Sequence, residues 1–223
     1  MSSISFLLTT VLTIVLFCIA TKQSLRFVIL LMGWLLIIGI PANANFFLNT
    51  TAIPPRFLIA LIVTLILSVI LFRRSVVEKM DQNRLIAIHI VRLPVELILY
   101  NLFVQKLIPS IMTYEGWNFD IIMGVTAICI LLIQLLSKTR FHKRILIAWN
   151  VSGIILLTTI VSIAILSSPL PIQQFAFEQP NIAVLQFPYV YLPTCIVPMV
   201  YLSHFFALKK LMNQEQGIRI KTN

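Results

Sequence analysis

Hydrophobic residues in this chain recur in long runs, not at the spacing of two or of about 3.6 that marks a half-buried strand or a surface helix. Runs of roughly 18 or more predominantly apolar residues follow one another, each long enough to cross a hydrocarbon layer of about 30 Å as a helix. They cover residues 4–21, 27–48, 56–72, 85–108, 119–137, 145–167 and 183–208, with short polar breaks between them. Helices are the expected form, because lipid offers no partner to an open backbone group. The pattern predicts an all-α integral membrane protein with seven transmembrane helices in one transmembrane domain, residues 1–223. The second run is the weakest. FVILLMGWLLIIGI stops at Pro41, so its crossing has to use ANANFFL or be short.

Composition agrees with the pattern. Of 223 residues, 59% are hydrophobic and 11% charged, whereas soluble domains carry about a quarter charged residues. Cys18, Cys129 and Cys195 each lie inside an apolar run without a CxxC or Cys/His cluster, which argues against a disulfide framework or a structural zinc site. The opening MSSISFLLTTVLTIVLFCIA lacks a basic leader and a small-x-small cleavage site, so a retained first span is expected.

The charges set an orientation. Lys22, Arg26, Arg73, Arg74, Lys79, Arg84, Lys138, Arg140, Lys143, Arg144, Lys209, Lys210, Arg219 and Lys221 gather on one side. Only Arg56 and Lys106 fall on the other, with Arg92 inside a span. The positive-inside rule then puts the N-terminus outside and the C-terminus in the cytoplasm. The net charge of +10 needs no nucleic acid, since basic loops at an anionic leaflet account for it. The outer connections are PANANFFLNTTAIPPR, SIMTYEGWNFD and SSPLPIQQFAFEQPN, where most of the prolines fall. The sequon at Asn49 lies there too and means something only in a secretory pathway. Glu115, Trp117, Asn118 and Asp120 read as an interfacial anchor facing water, or as an external mouth that attracts cations together with Glu178.

Chemistry concentrates in HIVRLPVELILY, residues 89–100. On a helix His89, Arg92, Glu96 and Tyr100 share a face about 80° wide. Arg92 and Glu96 stand four apart, where opposite charges can meet, roughly 12 and 18 Å in from Arg84. A lone arginine at that depth costs about 2.5–3.5 kcal/mol, so pairing with Glu96 is expected. Pro94 leaves the carbonyl of Ile90 without its amide and should open the helix there. Two readings follow. One is a packing lock, and the other is a cavity in which Arg92 anchors an anion, Glu96 carries a proton and Tyr100 hydrogen-bonds.

Other spans add few partners. Asn150 opens the sixth span and reads as interhelical glue or a cavity contact, and Thr64 and Ser68 read as glue. In the seventh span Pro193 and Pro198 bend a helix whose Tyr191, Thr194, Pro198 and Tyr201 share a face. His89 and His204 should lie at matched depth, as a metal site or a bis-histidine haem b would require, or as ordinary interfacial histidines. His142, in a basic loop, should be solvated.

Walker A, GxGxxG, HExxH and GxSxG motifs are absent, which removes nucleotide-driven chemistry and the common hydrolase designs and points away from an enzyme. No lysine stands midway along the seventh span, as a retinal protein needs, and neither a PQ-type nor another internal repeat is evident. HIVRLPVELILY, the PPR at 54–56 and FEQPNIAVLQFPYVYLP at 177–193 resemble an uncharacterised family of bacterial polytopic membrane proteins. The resemblance implies a bacterial inner membrane and no catalytic residue. The expected function is to bind or move a small solute or proton, with the lipid bilayer as partner and no cofactor. The alternatives are a haem or metal redox protein, or an accessory subunit docking a membrane-protein partner or a second copy.

Overall fold

A computed structural model describes residues 2–221, with side chains over 3–213. Arg219 and Lys221 of the basic tail thus have side chains outside the described residues. The helices are α1 (Ser2–Thr21), α2 (Leu25–Asn43), α3 (Arg56–Arg74), α4 (Gln82–Ile88), α5 (Arg92–Val104), α6 (Ile121–Ser137), α7 (Lys143–Leu166) and α8 (Val197–Lys221). No strand occurs among the described residues.

Among the described residues six segments are long and apolar enough to cross a membrane: α1, α2, α3, the α4–α5 span from Gln82 to Val104, α7, and Leu192–Asn213. The predicted fifth span is a shorter apolar helix of 17 residues, α6. Helix starts carry local signals. The hydroxyl of Ser24 accepts from the Phe27 amide and the carboxylate of Asp81 from that of Arg84, closing the first turns of α2 and α4. His142 is exposed, as expected, and its Nδ1 accepts from Arg144 N at the start of α7.

The core runs along α1, α4–α5 and α8. Of the most apolar stretch of each, 61% of α4–α5 and 56% of Leu192–Asn213 is buried, against 17% of α2 and of α3. Phe17 of α1 and Phe206 of α8 are fully buried and meet at 6.3 Å, and Phe72 of α3 stacks on Phe206 at 5.7 Å. Glu78 and Met80 present their carbonyls to Lys210 Nζ, which ties the α3–α4 turn to α8.

Several expected boundaries shift, each for a local reason. The second span is α2, ending at Asn43 with Pro41 inside its last turn, and Phe46–Leu48 form a separate 3₁₀ turn. The fourth span breaks where Pro94 removes an amide: a 3₁₀ turn at His89–Val91 separates α4 from α5. The seventh does not start at 183. Ala183–Leu185 form a 3₁₀ turn, Leu192–Ile196 a π-helical turn around Pro193, and regular α-helix begins at Val197. Thr64 and Ser68 do not bridge helices, since their hydroxyls bond back to Ala60 and Thr64 carbonyls on α3.

Two connections expected in water fold inward instead. Ile108, Met112 and Thr113 of the α5–α6 segment are buried, as are Ser167, Asn181 and Leu185 of the α7–α8 segment. The two are stitched together, with the amides of Ile182 and Ala183 donating to the carbonyl of Leu107 at 3.0 and 3.1 Å. Together they close one end of the bundle, so that α6 starts inside it.

Tyr191 stands away from the central stripe, packed on α2. Its hydroxyl donates to the Leu35 carbonyl at 3.0 Å and lies over Gly39, where an added Cβ would fall 2.1 Å from the Tyr191 oxygen. Gly39→Ala must therefore push the ring off α2, an overpacking cost of about 1–3 kcal/mol. Tyr191→Phe loses one hydrogen bond, about 1 kcal/mol. Thermal denaturation of the purified protein should rank Gly39→Ala as the more destabilised variant.

Candidate functional site: a polar cluster at the broken helix

The 3₁₀ turn at His89–Val91 and the first two turns of α5 aim three polar side chains into the bundle: His89, Arg92 and Glu96, all buried. Three elements surround them. Asn118 and Asp120 come from the inward-folded segment at the head of α6, Trp149 and Asn150 from α7, and His204 from α8.

Arg92 does not pair with Glu96. Its Nη1 meets Asp120 Oδ1 at 2.6 Å, with both side chains buried, and its Nη2 lies 2.9 Å from His204 Nε2. The expected pair fails because the segment carrying Asp120 enters the core and offers a better-placed carboxylate, drawing the guanidinium away from its own helix. Glu96 is left to a neutral partner: Asn118 Nδ2 donates to Glu96 Oε1 and to the Met112 carbonyl. Asn118 Oδ1 accepts from the Asp120 amide at 3.2 Å, so one asparagine holds Glu96 and orients the segment that brings Asp120.

The hydrogen bonds assign the His204 ring. A guanidinium only donates, so Nε2 must accept, and the proton sits on Nδ1. Nδ1 donates to Asn150 Oδ1 at 2.9 Å, and Asn150 Nδ2 donates to the Leu146 carbonyl at 2.7 Å. The chain of donors is consistent from Arg92 to the α7 backbone. Gly153 makes room for this ring, since a Cβ there would lie 2.3 Å from His204 Cε1.

His89 stacks on His204 with ring centroids 3.9 Å apart and 23° between planes, and Trp149 packs edge-on against both. Neither nitrogen of His89 has a partner, and Arg92 Nε and Glu96 Oε2 are likewise buried and unpartnered. The two histidines do share a depth, but haem b does not fit them here. Axial ligation needs ring nitrogens pointing at one iron from opposite sides. These rings lie face to face, and both nitrogens of His204 are engaged. No group of three or more His, Cys, Asp or Glu suited to a metal occurs among the described residues.

The structure thus brings His89, Arg92, Glu96, Asn150 and His204 together and leaves other candidates outside. Tyr100 is half-buried and stacks on Tyr114 at 4.9 Å. Tyr191 bonds to α2. Tyr201 donates to Thr158 Oγ1 at 3.0 Å on the bundle's flank. Tyr191 and Tyr201 diverge because the π-helical turn between them adds a residue to the helix and rotates the face that follows. Asn118 and Asp120, expected at an interfacial anchor or an external mouth, are buried in the cluster, whereas Glu115 and Trp117 of the same stretch are exposed. The available signal was an unmatched intramembrane arginine, which requires a carboxylate, near an aspartate directly before an apolar run.

Removing one member of a buried ion pair leaves the other uncompensated, at a cost of about 3–5 kcal/mol. Asp120→Ala should lose that much in reversible unfolding of the purified protein. The double replacement Arg92→Met with Asp120→Leu should recover most of it. Equal loss in both would mean the pair is not the source.

Residues 56–212 match the family described as a domain of unknown function, DUF8737, and the chain belongs to that family. The matched region starts at α3 and contains every residue of the cluster. No curated protein and no solved structure matches the chain.

Proposed function

We propose that this member of the DUF8737 family is a multi-pass protein of the bacterial inner membrane, N-terminus outside and C-terminus cytoplasmic, that binds a proton within the bilayer and uses it in moving a small solute. Support for the membrane setting comes from the exterior. Leu30, Ile40 and Leu65, at 74%, 66% and 64% exposure, stand on helices α2 and α3 that are apolar almost all round, a surface suited to lipid and costly in water.

The proton reading rests on one observation, the charge balance of the cluster. A single cation, Arg92, faces two buried carboxylates, and the ion pair with Asp120 uses it up. Glu96 keeps a neutral amide on one oxygen and nothing on the other. A carboxylate in that position is uncompensated, and a proton on Glu96 removes the charge. Asp120 and Arg92 then hold the field constant while Glu96 loads and unloads. His89, with both nitrogens unpartnered about two turns nearer the basic end, is placed to exchange that proton by way of water. This reading replaces the anion-anchor role expected for Arg92, whose charge is already matched.

The test is proton uptake by proteoliposomes carrying an internal pH dye, under an imposed potassium-diffusion potential. The unmodified protein should acidify the lumen. Glu96→Gln should abolish most of that flux while inserting and purifying normally, and Tyr100→Phe should leave it unchanged. Full flux in Glu96→Gln would overturn the proton role.

A further inference from the structure

Helices α3 and α8 leave a groove of about 550 Å³ between them on the outside of the bundle. Leu61, Ser68 and Phe72 of α3 form one wall, and Pro193 of the π-helical turn forms the other with Tyr201 and Phe205 of α8. From Leu61 to Phe72 the wall runs about 16 Å, half of a hydrocarbon layer of about 30 Å. The lining is almost wholly apolar, and the hydroxyls that reach it are engaged. Thr64 and Ser68 donate to carbonyls of their own helix, and Tyr201 donates to Thr158. No hydroxyl proton is left for a guest, so the groove suits a hydrocarbon chain.

The end of the groove at the basic side of the bundle has a different character. Phe72 and Phe205 meet there edge to face at 6.0 Å, and the Lys209 ammonium stands 5.1 Å from the centre of the Phe72 ring. Arg73 and Arg74, both exposed, follow Phe72 in the last turn of α3. Carboxylates are present too, and Glu78 lies in the field of Lys209. They are outnumbered. Residues 73–84 hold four basic side chains against two acidic ones, and residues 209–223 hold four against one. The excess of positive charge around this end therefore stands whichever ion pairs form.

A second apolar groove, of about 610 Å³, supplies the contrast. It follows the half of α7 away from the basic end, past Thr158 and Ser162, to Trp117 and Phe175. Glu115 lies two residues from Trp117 and Glu178 three from Phe175. The two grooves agree in size and lining and differ in the sign of the charge at their ends. Within a bilayer a chain gains nothing by leaving water, so that charge decides which headgroup each groove prefers.

We propose that the α3–α8 groove binds an anionic phospholipid of the cytoplasmic leaflet, one acyl chain lying along the groove and the phosphate beside Lys209, Arg73 and Arg74. This rests on the membrane reading given above and not on the proton role of Glu96. The full chain is placed in phosphatidylcholine vesicles carrying a trace of phosphatidylglycerol or phosphatidylcholine with the same photoactivatable acyl chain, and cross-linked peptides are mapped by mass spectrometry. Flotation with the vesicles tests the membrane reading separately, and size-exclusion profiles report folding of the variants.

Phosphatidylglycerol should label the groove segments of α3 and α8 at least five-fold more than phosphatidylcholine, with no such preference along α7. Lys209→Ala should reduce the preference about five-fold. Ser68→Phe, which fills the groove at a half-buried position, should remove labelling there by either lipid and leave that of α7 intact. Equal labelling by the two lipids at α3 and α8, a preference that survives both variants, or a groove that no lipid labels because a protein partner or second copy covers it, each in a chain that floats, overturns the proposal alone. A chain that does not float overturns the membrane reading and the proposal with it.

Discussion

The buried ion pair between Arg92 and Asp120 constrains everything around it. Arg92 stands midway along a span that is itself the most buried in the bundle. A charge there is tolerated only if a carboxylate reaches the same depth. The chain meets that demand by folding the α5–α6 segment inward and starting α6 at the pair. The cost is a short α6 and a connection that needs its own anchors: Asn118, the buried Thr113 and Met112, and the neighbouring α7–α8 segment.

From that pair the remaining geometry follows in sequence. The second arm of the guanidinium fixes the His204 ring, the ring fixes Asn150 on α7, and Gly153 keeps the space open. The first arm frees Glu96 from its neighbour on the same helix and leaves it to Asn118. Helices α5, α6, α7 and α8 are thus tied at one depth by polar contacts, while the phenylalanine stack of Phe17, Phe72 and Phe206 joins α1, α3 and α8 by packing alone. In a low-dielectric interior such a network is stabilising only if nearly complete. Its incomplete members, His89 and Glu96, are therefore where exchange with a proton or water is least costly.

Much of this was legible in the sequence. Apolar run length located seven helical segments, six of them long and apolar enough to cross a membrane, and the proline in HIVRLPVELILY marked the break in the fourth. Counting from the basic ends put His89 and His204 at a matched depth, while the contact between their helices, where the rings stack, was not legible. What periodicity could not supply was tertiary choice. Helical spacing makes Arg92 and Glu96 neighbours, yet a carboxylate from elsewhere won, because a long side chain follows the strongest compensating charge within reach. Tyr100 shared a face with Arg92 and Glu96, and Tyr191 with Tyr201, only on ideal helices, and the π-helical turn at Leu192–Ile196 undid the second register. Inward-folding connections look polar and proline-rich like any loop, so Asn118 and Asp120 read as surface.

The most direct test of the account is the infrared carboxyl carbonyl band of the protein in lipid, recorded against pH for the unmodified chain, Glu96→Gln and Asp120→Asn. The account predicts a protonated-carboxyl band at neutral pH that vanishes in Glu96→Gln and weakens in Asp120→Asn, where Arg92 is freed to compensate an ionised Glu96. A spectrum without that band, or one in which it survives Glu96→Gln, would contradict the claim that Glu96 holds a proton inside the bundle.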